Sequence, residues 1–279
     1  WLKKYPFGDV KPAVNVYRWL DCLKKYGPNP PSVKIGFDDI AMYQYTGGTT
    51  GVSKGVMLTH ANLSKQVQQL EAWFPKFEKG KEIMLGALPY FHVFGLSVSM
   101  NLSIHMGWSQ VLVPRPQPEP LLEAIKSFRP TFAPLVPTMY IGMLNHPKLK
   151  DVDMSCIKGA FSGSAPLPVE VIHDFEKATG AVIVEGFGMT ETTPVTHINP
   201  FAGGVRKVGS IGVPISDTEC RIVDLDEGVK DMPIGERGEL IVKGPQIMLG
   251  YKGKPEETAN TLKDGWIYTG DIATMDEDG

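Results

Sequence analysis

A glycine- and threonine-rich segment at residues 45–55, YTGGTTGVSKG, has the composition of a loop that binds polyphosphate. Glycine tolerates the backbone angles that direct successive N–H groups toward an anion, hydroxyl groups add donors, and a lysine adds a positive charge. A flexible surface loop of this composition would rarely follow an apolar strand and close on Ser-Lys-Gly. The residues expected to contact phosphate are Thr46, Gly47, Gly48, Thr49, Thr50, Gly51 and Lys54.

The spacing of this segment differs from that of the common phosphate loop GxxxxGK[ST]. Counted from Gly48, the residue before Lys54 is Ser53, and Gly55 follows the lysine where Ser or Thr would be required. Residues 57–60 also separate the segment from the next predicted helix. These differences make a P-loop phosphotransferase the most distant of the alternative functions.

Together with this loop, five later segments resemble the adenylate-forming superfamily, which includes acyl-CoA synthetases, luciferases and the adenylation domains of peptide synthetases. Six matches in the expected order, from residue 45 to residue 271, make the resemblance specific. The five segments are similar to an aromatic–histidine segment (LPYFHVFG, 88–95), an adenine-edge turn (SGSAPL, 162–167), an adenine-stacking and metal segment (EGFGMTET, 185–192), a strand pair (GEL, 238–240, with GY, 250–251) and a ribose-binding turn (YTGD, 268–271).

The resemblance implies ATP, a fatty acid and CoA as substrates, with Mg²⁺ as the metal. Glu191 would coordinate Mg²⁺, a hard cation that prefers oxygen ligands bridged to phosphate. Thr190 would donate its hydroxyl to the α-phosphate or the adenylate, and Lys54 would hold the leaving pyrophosphate. With His92, these three are the residues expected to take part in catalysis. The other residues expected to bind the nucleotide are Gly163, Ser164, Ala165, Glu185, Gly186, Phe187, Gly188 and Asp271, with Thr190 as well.

Structural roles compete with some of these assignments. Thr190 and Glu191 could cap a helix, although the following Thr-Pro would interrupt it, and Asp271 could cap a turn. Relatives usually carry tyrosine at the position of Phe187. Phenylalanine keeps the aromatic face for stacking on adenine but lacks the hydroxyl.

The resemblance also predicts where the acyl group would bind. His92 would lie near the carboxylate, whereas His60 and His105 are expected to be ordinary structural residues. The uncharged run after His92 suits a long apolar tunnel and a buried helix equally well; it includes Val93, Phe94, Leu96, Val98 and Met100. The residues expected to contact the acyl group are His92, Val93, Gly95, Leu96, Gly188 and Met189.

The pattern of elements predicts an α/β fold. Strands alternate with helices up to residue 184, which is typical of a mostly parallel sheet flanked by helices. Beyond residue 205, short strands at 219–223 and 238–242 between Gly, Pro and Asp turns predict a small antiparallel, barrel-like subdomain. We therefore expect a linker or tail of a missing segment at 1–31, a nucleotide- and acyl-binding subdomain at 32–204 and a β-rich subdomain at 205–279.

The earlier strands are predicted at 40–45, 83–88, 110–113, 131–136, 157–161 and 181–184. The helices are predicted at 60–74, after His92, at 121–128, around Tyr140 and at 169–179, preceded by a short amphipathic piece at 14–23.

Composition excludes some classes of protein. With 28 basic and 31 acidic residues the net charge is -3, which gives no electrostatic case for binding nucleic acid. The three cysteines lack CxxC spacing, which argues against a zinc site and favours a reducing, cytoplasmic location.

Residues 83–114 carry no Lys, Arg, Asp or Glu but are broken by Pro89 and Gly107. A buried helix and strand fit this stretch better than a membrane span. Peripheral membrane contact and the oligomeric state stay open.

We expect the function to be ATP-dependent conversion of a fatty acid to an acyl-adenylate, followed by transfer to CoA with release of AMP. One alternative is an enzyme that activates an aryl acid; an amino-acid substrate is less favoured because residues 94–101 contain no acidic residue. An alternative of another class is a non-catalytic nucleotide- or acyl-binding module.

Relatives continue into a hinge and a C-terminal domain with a catalytic lysine. We expect that domain to be missing here, and the chain alone to bind nucleotide but catalyse poorly.

Overall fold

A computed structural model of the protein describes residues 13–29, 31–46 and 53–279. The chain divides into two units, the first ending at Gly36 and the second running from Phe37 to Gly279. In the first unit, helix α1 (Trp19–Lys25) has no buried residue. It begins later than the amphipathic piece predicted at 14–23.

The second unit begins with a hairpin of strands β1 (Ile40–Tyr45) and β2 (Gly55–Thr59), which pair antiparallel with Tyr45 opposite Gly55. Strand β1 confirms the prediction, whereas β2 was not predicted. The segment proposed to bind phosphate therefore connects two antiparallel strands. A P-loop connects a strand to a helix, so this topology adds to the case against that class.

A seven-stranded sheet forms the centre of the second unit. Its first five strands in sheet order are parallel, and the last two continue it antiparallel. In chain order the strands are β3 (Ile83–Gly86), β4 (Ser109–Leu112), β5 (Phe132–Leu135), β6 (Gly159–Ser162), β7 (Ile183–Gly188), β8 (Val195–Ile198) and β9 (Val213–Pro214). The order across the sheet is β4-β3-β5-β6-β7-β8-β9.

Helices cover both faces of this sheet. Successive side chains of a strand point to opposite faces, and the two resulting sets belong to different cores: Met84 and Phe132 to one, Leu85 and Ala133 to the other. Helices α2 and α3 pack in the first core, and α4, α5 and α6 in the second. Their bounds are α2 (His60–Trp73), a π-helical segment (Gly95–Asn101) that continues as α3 (Leu102–Met106), α4 (Pro118–Phe128), α5 (Pro137–Leu144) and α6 (Val169–Thr179), with 3₁₀ turns at Pro147–Asp151 and Thr190–Thr192.

Local sequence signals explain several helix limits. Thr59 and Asn62 form a reciprocal cap at the start of α2. A proline opens α4 and another opens α5, where its missing N–H costs nothing. Helix α6 ends at Gly180, whose φ of 72° is left-handed. The predicted helices are therefore present; α2 and α6 match their predicted bounds to within one residue, whereas α4 begins three residues earlier than predicted.

The last part of the chain forms a separate four-stranded antiparallel sheet in the order β10-β11-β14-β13. Strand β12 (Gly250–Tyr251) instead pairs with β2 and so adds a third strand to the first hairpin. The fold is thus α/β with a mostly parallel sheet and an added antiparallel sheet, as predicted. The elements are β10 (Glu219–Val223), β11 (Gly238–Lys243), β12 (Gly250–Tyr251), α7 (Pro255–Thr261), β13 (Leu262–Lys263) and β14 (Trp266–Ala273).

Two strand predictions were displaced by two residues at their start, and three others differ by one or two residues at their ends. The strands predicted at 157–161 and 181–184 are β6 and β7, which begin later and extend further. Ile157 and Ala181 are buried in the core although they lie in connections between elements, so burial alone produced the strand-like pattern.

The subdomain boundary at residue 205 stays a prediction, and β9 beyond it still pairs with β8. In the described part of the chain, no helix is long and apolar enough to span a membrane.

Candidate functional site

A cavity of about 210 Å³ lies where three of the predicted segments meet. It is lined by the aromatic–histidine segment, the turn after β6 and the end of β7. The lining residues are His92, Val93, Phe94, Phe161, Gly163, Ser164, Gly186, Phe187, Gly188, Met189, Thr190, Pro194 and Val195.

The parallel strands bring these segments together. Residues 88–95 follow β3, Gly163 follows β6, and Gly188 ends β7. The carboxyl ends of parallel strands lie at the same edge of a sheet, where open α/β sheets bind their ligands. The cavity therefore occupies the position that this topology favours for a ligand.

His92 stands at the start of the helical segment after β3. Its main-chain carbonyl accepts the N–H of Leu96 at 2.9 Å, and its Nδ1 accepts the N–H of Phe94 at 3.2 Å. An accepting Nδ1 puts the proton of the neutral ring on Nε2. Partial burial lowers the pKa of His92. The lowered pKa favours the neutral ring, and in this arrangement Nε2 is the nitrogen that can donate.

Two glycines on β7 are required by close packing. A Cβ on Gly186 would lie 2.5 Å from the ring of Phe161, and one on Gly188 would lie 1.9 Å from the main-chain oxygen of Pro194. Only glycine allows these approaches without movement of the neighbours. The two glycines thus allow β7 to lie directly against the ring of Phe161 and against the main chain at Pro194.

Phe187 lies between the two glycines and faces His197 on the paired strand β8. The ring centroids are 6.2 Å apart in an edge-to-face arrangement. Phe187 is half-buried and lines the cavity. Its ring is thereby supported on one side by the protein, as a surface for stacking requires.

The turn Thr190–Thr192 is held by the segment that leads into β12. The N–H of Met248 donates to the main-chain oxygen of Glu191 at 2.8 Å. The hydroxyl of Tyr251 donates to Oε1 of Glu191 at 2.7 Å, and the hydroxyl of Thr193 donates to the carbonyl of Gln246 at 2.6 Å. These three contacts fix the main chain and the carboxylate of the proposed metal ligand.

Sequence reasoning missed a set of buried amides on helix α2. Gln66 Oε1 accepts the N–H of Val195 at 2.7 Å, and Asn62 donates to the main-chain oxygens at 245 and 247. Gln69 donates to the carbonyl of Ser216 at 2.6 Å. Positions 62, 66 and 69 share one face of a helix. Three amide side chains at helical spacing were the sequence signal that could have predicted these buried hydrogen bonds.

Only the ends of the proposed phosphate loop can be located. Gly47, Gly48, Thr49, Thr50 and Gly51 lie outside the described residues. Thr46 donates its N–H to the carbonyl of Lys54 at 3.0 Å, which closes the base of the hairpin. Lys54 Nζ lies 4.7 Å from the centre of the Tyr251 ring. Because the Tyr251 hydroxyl contacts Glu191, one side chain touches both the lysine and the carboxylate.

Several predicted site residues do not line the cavity; these are Thr46, Lys54, Gly95, Leu96, Ala165, Glu185, Glu191 and Asp271. The Glu185 carboxylate accepts the N–H of Gly209 at 2.8 Å, and burial raises its pKa. Asp271 lies in a bulge of β14, and burial together with Glu239 raises its pKa. The roles proposed for these eight residues in binding or catalysis stay predictions.

The apolar run after His92 is part of a buried helix. Phe94 and Val98 pack against α2 and the sheet, which confirms the buried-helix interpretation. Gly95 has room for no side chain, since a Cβ would lie 2.3 Å from the carbonyl oxygen of Pro89. Val93 and Phe94 also line the cavity. A longer acyl tunnel stays a prediction.

Comparison with known proteins gives one family. A family model described as AMP-binding enzyme matches residues 6–252. A long-chain-fatty-acid–CoA ligase from Bacillus subtilis (strain 168) is 47% identical over 273 residues, covering 97% of this chain and 48% of the relative. A long-chain-fatty-acid–CoA ligase from Escherichia coli O6:H1 is 39% identical over 244 residues, covering 87% of this chain and 43% of the relative.

The fold comparison agrees. The crystal structure of ATP-bound MatB from Rhodopseudomonas palustris matches with a TM-score of 0.86 and 33% identity, covering 93% of this chain and 50% of that chain. The chain spans about half the length of the curated relatives it matches.

Proposed function

The chain belongs to the AMP-binding enzyme family, and from that premise we propose that the protein containing it activates a fatty acid with ATP. The product of the first step is an acyl-adenylate with pyrophosphate, and the second step transfers the acyl group to CoA. The similarity to two long-chain-fatty-acid–CoA ligases supports a fatty acid as the substrate.

The observation that carries the proposal is the convergence of three segments on one cavity. The aromatic–histidine segment, the turn at Gly163 and the β7 end from Gly186 to Thr190 are far apart in sequence but line the same space. Adenylation requires an acid and the α-phosphate of a nucleotide to be held side by side. A single cavity with an apolar wall and a polar turn suits that requirement.

In the first step a carboxylate oxygen attacks the α-phosphorus, and the bond from that phosphorus to the oxygen bridging to the β-phosphate breaks. Pyrophosphate leaves with the electron pair of that bond. Thr190 would donate a hydrogen bond to the α-phosphate oxygens, where charge develops in the transition state. Lys54 would stabilise the leaving pyrophosphate. His92, with Nε2 as its available donor, would orient the carboxylate.

In the second step the CoA thiolate attacks the acyl carbon, and AMP leaves.

In both steps the nucleotide would be held by the half-buried ring of Phe187 against adenine and by Gly163 and Ser164 at the adenine edge. Asp271 would accept hydrogen bonds from the ribose. Asp271 does not line the cavity, so ribose binding would use the surface beside it.

The residues present fit a magnesium ion that is bound largely through the nucleotide. Among residues 13–29, 31–46 and 53–279, no group of three or more His, Cys, Asp and Glu side chains could hold a metal. Mg²⁺ commonly uses one or two carboxylates together with substrate phosphates and water. Glu191 supplies such a buried carboxylate. When bound, the ion would neutralise phosphate charge.

The size of the cavity favours a second candidate, an aryl acid. A volume of about 210 Å³ is below the roughly 300–1,000 Å³ of most ligand pockets. A compact ring needs less space than a long acyl chain, which would require the apolar walls to move. The cavity volume therefore favours a compact acid, whereas the similarity to two long-chain-fatty-acid–CoA ligases favours a fatty acid.

Substrate-dependent exchange of labelled pyrophosphate into ATP tests the proposal. The assay uses the protein at its natural length, with octanoate, laurate, palmitate, ferulate, benzoate and several amino acids. Exchange that is fastest with a fatty acid supports the proposal, and exchange fastest with ferulate or benzoate supports the second candidate. No exchange with any acid, combined with tight binding of a non-hydrolysable acyl-adenylate analogue, would indicate a binding module.

A further inference from the structure

We propose that Tyr251 is a positioning residue that couples the carboxylate of Glu191 to the ammonium group of Lys54. The inference rests on the proposed roles of Glu191 at Mg²⁺ and Lys54 at phosphate. Tyr251 would contact neither ATP nor the acid that is activated. It would hold two groups that must act on the same polyphosphate.

One end of the Tyr251 side chain holds the carboxylate. Its hydroxyl donates to Oε1 of Glu191 at 2.7 Å, and both residues are buried, with exposures of 5% and 8%. A hydrogen bond to an ionised acceptor in a buried setting is about twice as strong as a neutral one. It engages Oε1, so the other carboxylate oxygen would be the one to meet an incoming cation.

The face of the same ring holds the lysine. Nζ of Lys54 lies 4.7 Å from the ring centre, within the range of a cation–π contact. Lys54 is also tied at its carbonyl to the N–H of Thr46 at the other end of the hairpin loop. The main chain of Lys54 is therefore fixed at the base of the hairpin, and its ammonium group lies over the face of the phenol ring.

The surroundings of Tyr251 fix its position. It pairs with Val56 of β2, and its ring packs in a small core with Val56, Leu58, Val93 and Met248. Its N–H donates to the hydroxyl of Thr258 at 2.9 Å on α7. A side chain held by strand pairing, packing and a hydrogen bond loses little further entropy when it orients a neighbour.

This arrangement explains why a residue on the edge strand β12 could affect metal binding. Without the hydroxyl, the Glu191 carboxylate would lose its buried donor and could adopt other rotamers. Groups that orient a metal ligand typically change metal affinity by about ten-fold or more. We therefore expect Tyr251 to act on the Mg²⁺-dependent part of ATP binding.

The test measures ATP affinity of the protein at its natural length by calorimetry, with Mg²⁺ and with chelator. Tyr251→Phe keeps the ring and removes the hydroxyl. We expect the enhancement of ATP affinity by Mg²⁺ to fall roughly ten-fold, while affinity for an acyl-adenylate analogue without Mg²⁺ is unchanged. Tyr43→Phe is the control, because Tyr43 on β1 also lies under a lysine, Lys252 at 4.1 Å.

Glu191→Gln separates this inference from the proposed function. If Glu191→Gln abolishes the Mg²⁺ enhancement and Tyr251→Phe leaves it intact, the role of Tyr251 is overturned and that of Glu191 stands. If Glu191→Gln changes nothing, the metal role itself fails. Adding Tyr251→Phe to Glu191→Gln should cause no further loss, because Tyr251 would act through that carboxylate.

A second substitution keeps the inference testable if Tyr251→Phe does not fold. A fluorinated tyrosine at position 251 has nearly the same shape and a more acidic, stronger donor. It should shift the Mg²⁺ enhancement relative to the natural tyrosine, and an identical value would contradict the inference. The same replacement at Tyr43 should have no effect.

Discussion

The rings of Phe187 and His197 meet edge to face across strands β7 and β8, with their centroids 6.2 Å apart. Phe187 lines the cavity, whereas His197 is 3% exposed and contacts the hydroxyl of Thr196. A ring proposed to bind adenine thus rests on a buried histidine. The two residues can be tested by independent measurements.

Phe187→Tyr should be nearly neutral for nucleotide affinity, whereas Phe187→Ala should weaken it about ten-fold or more. An aromatic contact contributes about 1 kcal/mol beyond area burial, and the lost burial adds to it. ATP titration of both variants measures the effect. Phe128→Ala, an exposed phenylalanine on α4, is the control. An alanine variant with unchanged affinity would remove Phe187 from the site.

Protonation of His197 should weaken folding in mild acid. Burial lowers its pKa to about 4, against about 6.5 in an unfolded chain. Between these values the unfolded chain binds a proton and the folded chain does not. The free energy of unfolding therefore falls as the pH drops from about 6.5 toward 4, by at most about 3 kcal/mol.

Urea denaturation at pH 7, 5.5 and 4.5 measures this dependence. His197→Gln should have a flatter profile than the natural protein, because the group that binds the proton on unfolding is gone. His173→Gln on α6, an exposed histidine, is the control. Parallel profiles for His197→Gln and the natural protein would contradict the prediction.

Glu191→Gln should weaken adenylation that depends on Mg²⁺ and ATP much more than binding of a preformed adenylate. A glutamine lacks the negative charge that a Mg²⁺ ligand supplies, so a loss of roughly ten-fold or more is expected. Pyrophosphate exchange and calorimetry give the two values. Glu170→Gln in the first turn of α6 is the control. Equal losses in both measurements would show that Glu191 is not a metal ligand.

Gln66→Met should destabilise the protein by about 1–3 kcal/mol, because the buried N–H of Val195 loses its acceptor. Methionine has a similar length, so packing changes little. Chemical denaturation measures the loss. Gln68→Met on the same helix, where the glutamine is exposed, should change stability by less than about 0.5 kcal/mol. Equal effects of the two substitutions would contradict a role for the buried amide.

Gly188→Ala should destabilise the β7–β8 pair and lower nucleotide affinity. The new Cβ would lie 1.9 Å from the Pro194 oxygen, so the backbone must move, at a cost of about 1–3 kcal/mol or more. Thermal unfolding and ATP titration measure both effects. Gly27→Ala, with no atom within 4 Å of its Cβ, is the control. A fully stable Gly188→Ala with normal affinity would show that the close approach is unimportant.

Much of the fold could be predicted from local pattern. Helix α6 lies where its 3.6-residue periodicity and the following Gly180 predict it, and β10 has the predicted bounds. Strands β2 and β8 are among those that were missed. Each is a short apolar segment next to a loop rich in Gly, Thr or Pro, and such a segment becomes a strand only when a partner such as β1 or β7 pairs with it.

For the site, the sequence by itself determined which residue types are available and, through six motifs in order, the family they resemble. Tertiary structure alone decided which of them meet. His92 and Thr190 line one cavity because β3 and β7 end at the same edge of the sheet. Asp271 does not line it, because it lies on a different sheet. Tyr251 reaches Glu191 only because β12 pairs with β2. Strand pairing joins segments distant in sequence, and no local pattern of residues encodes that choice of partner.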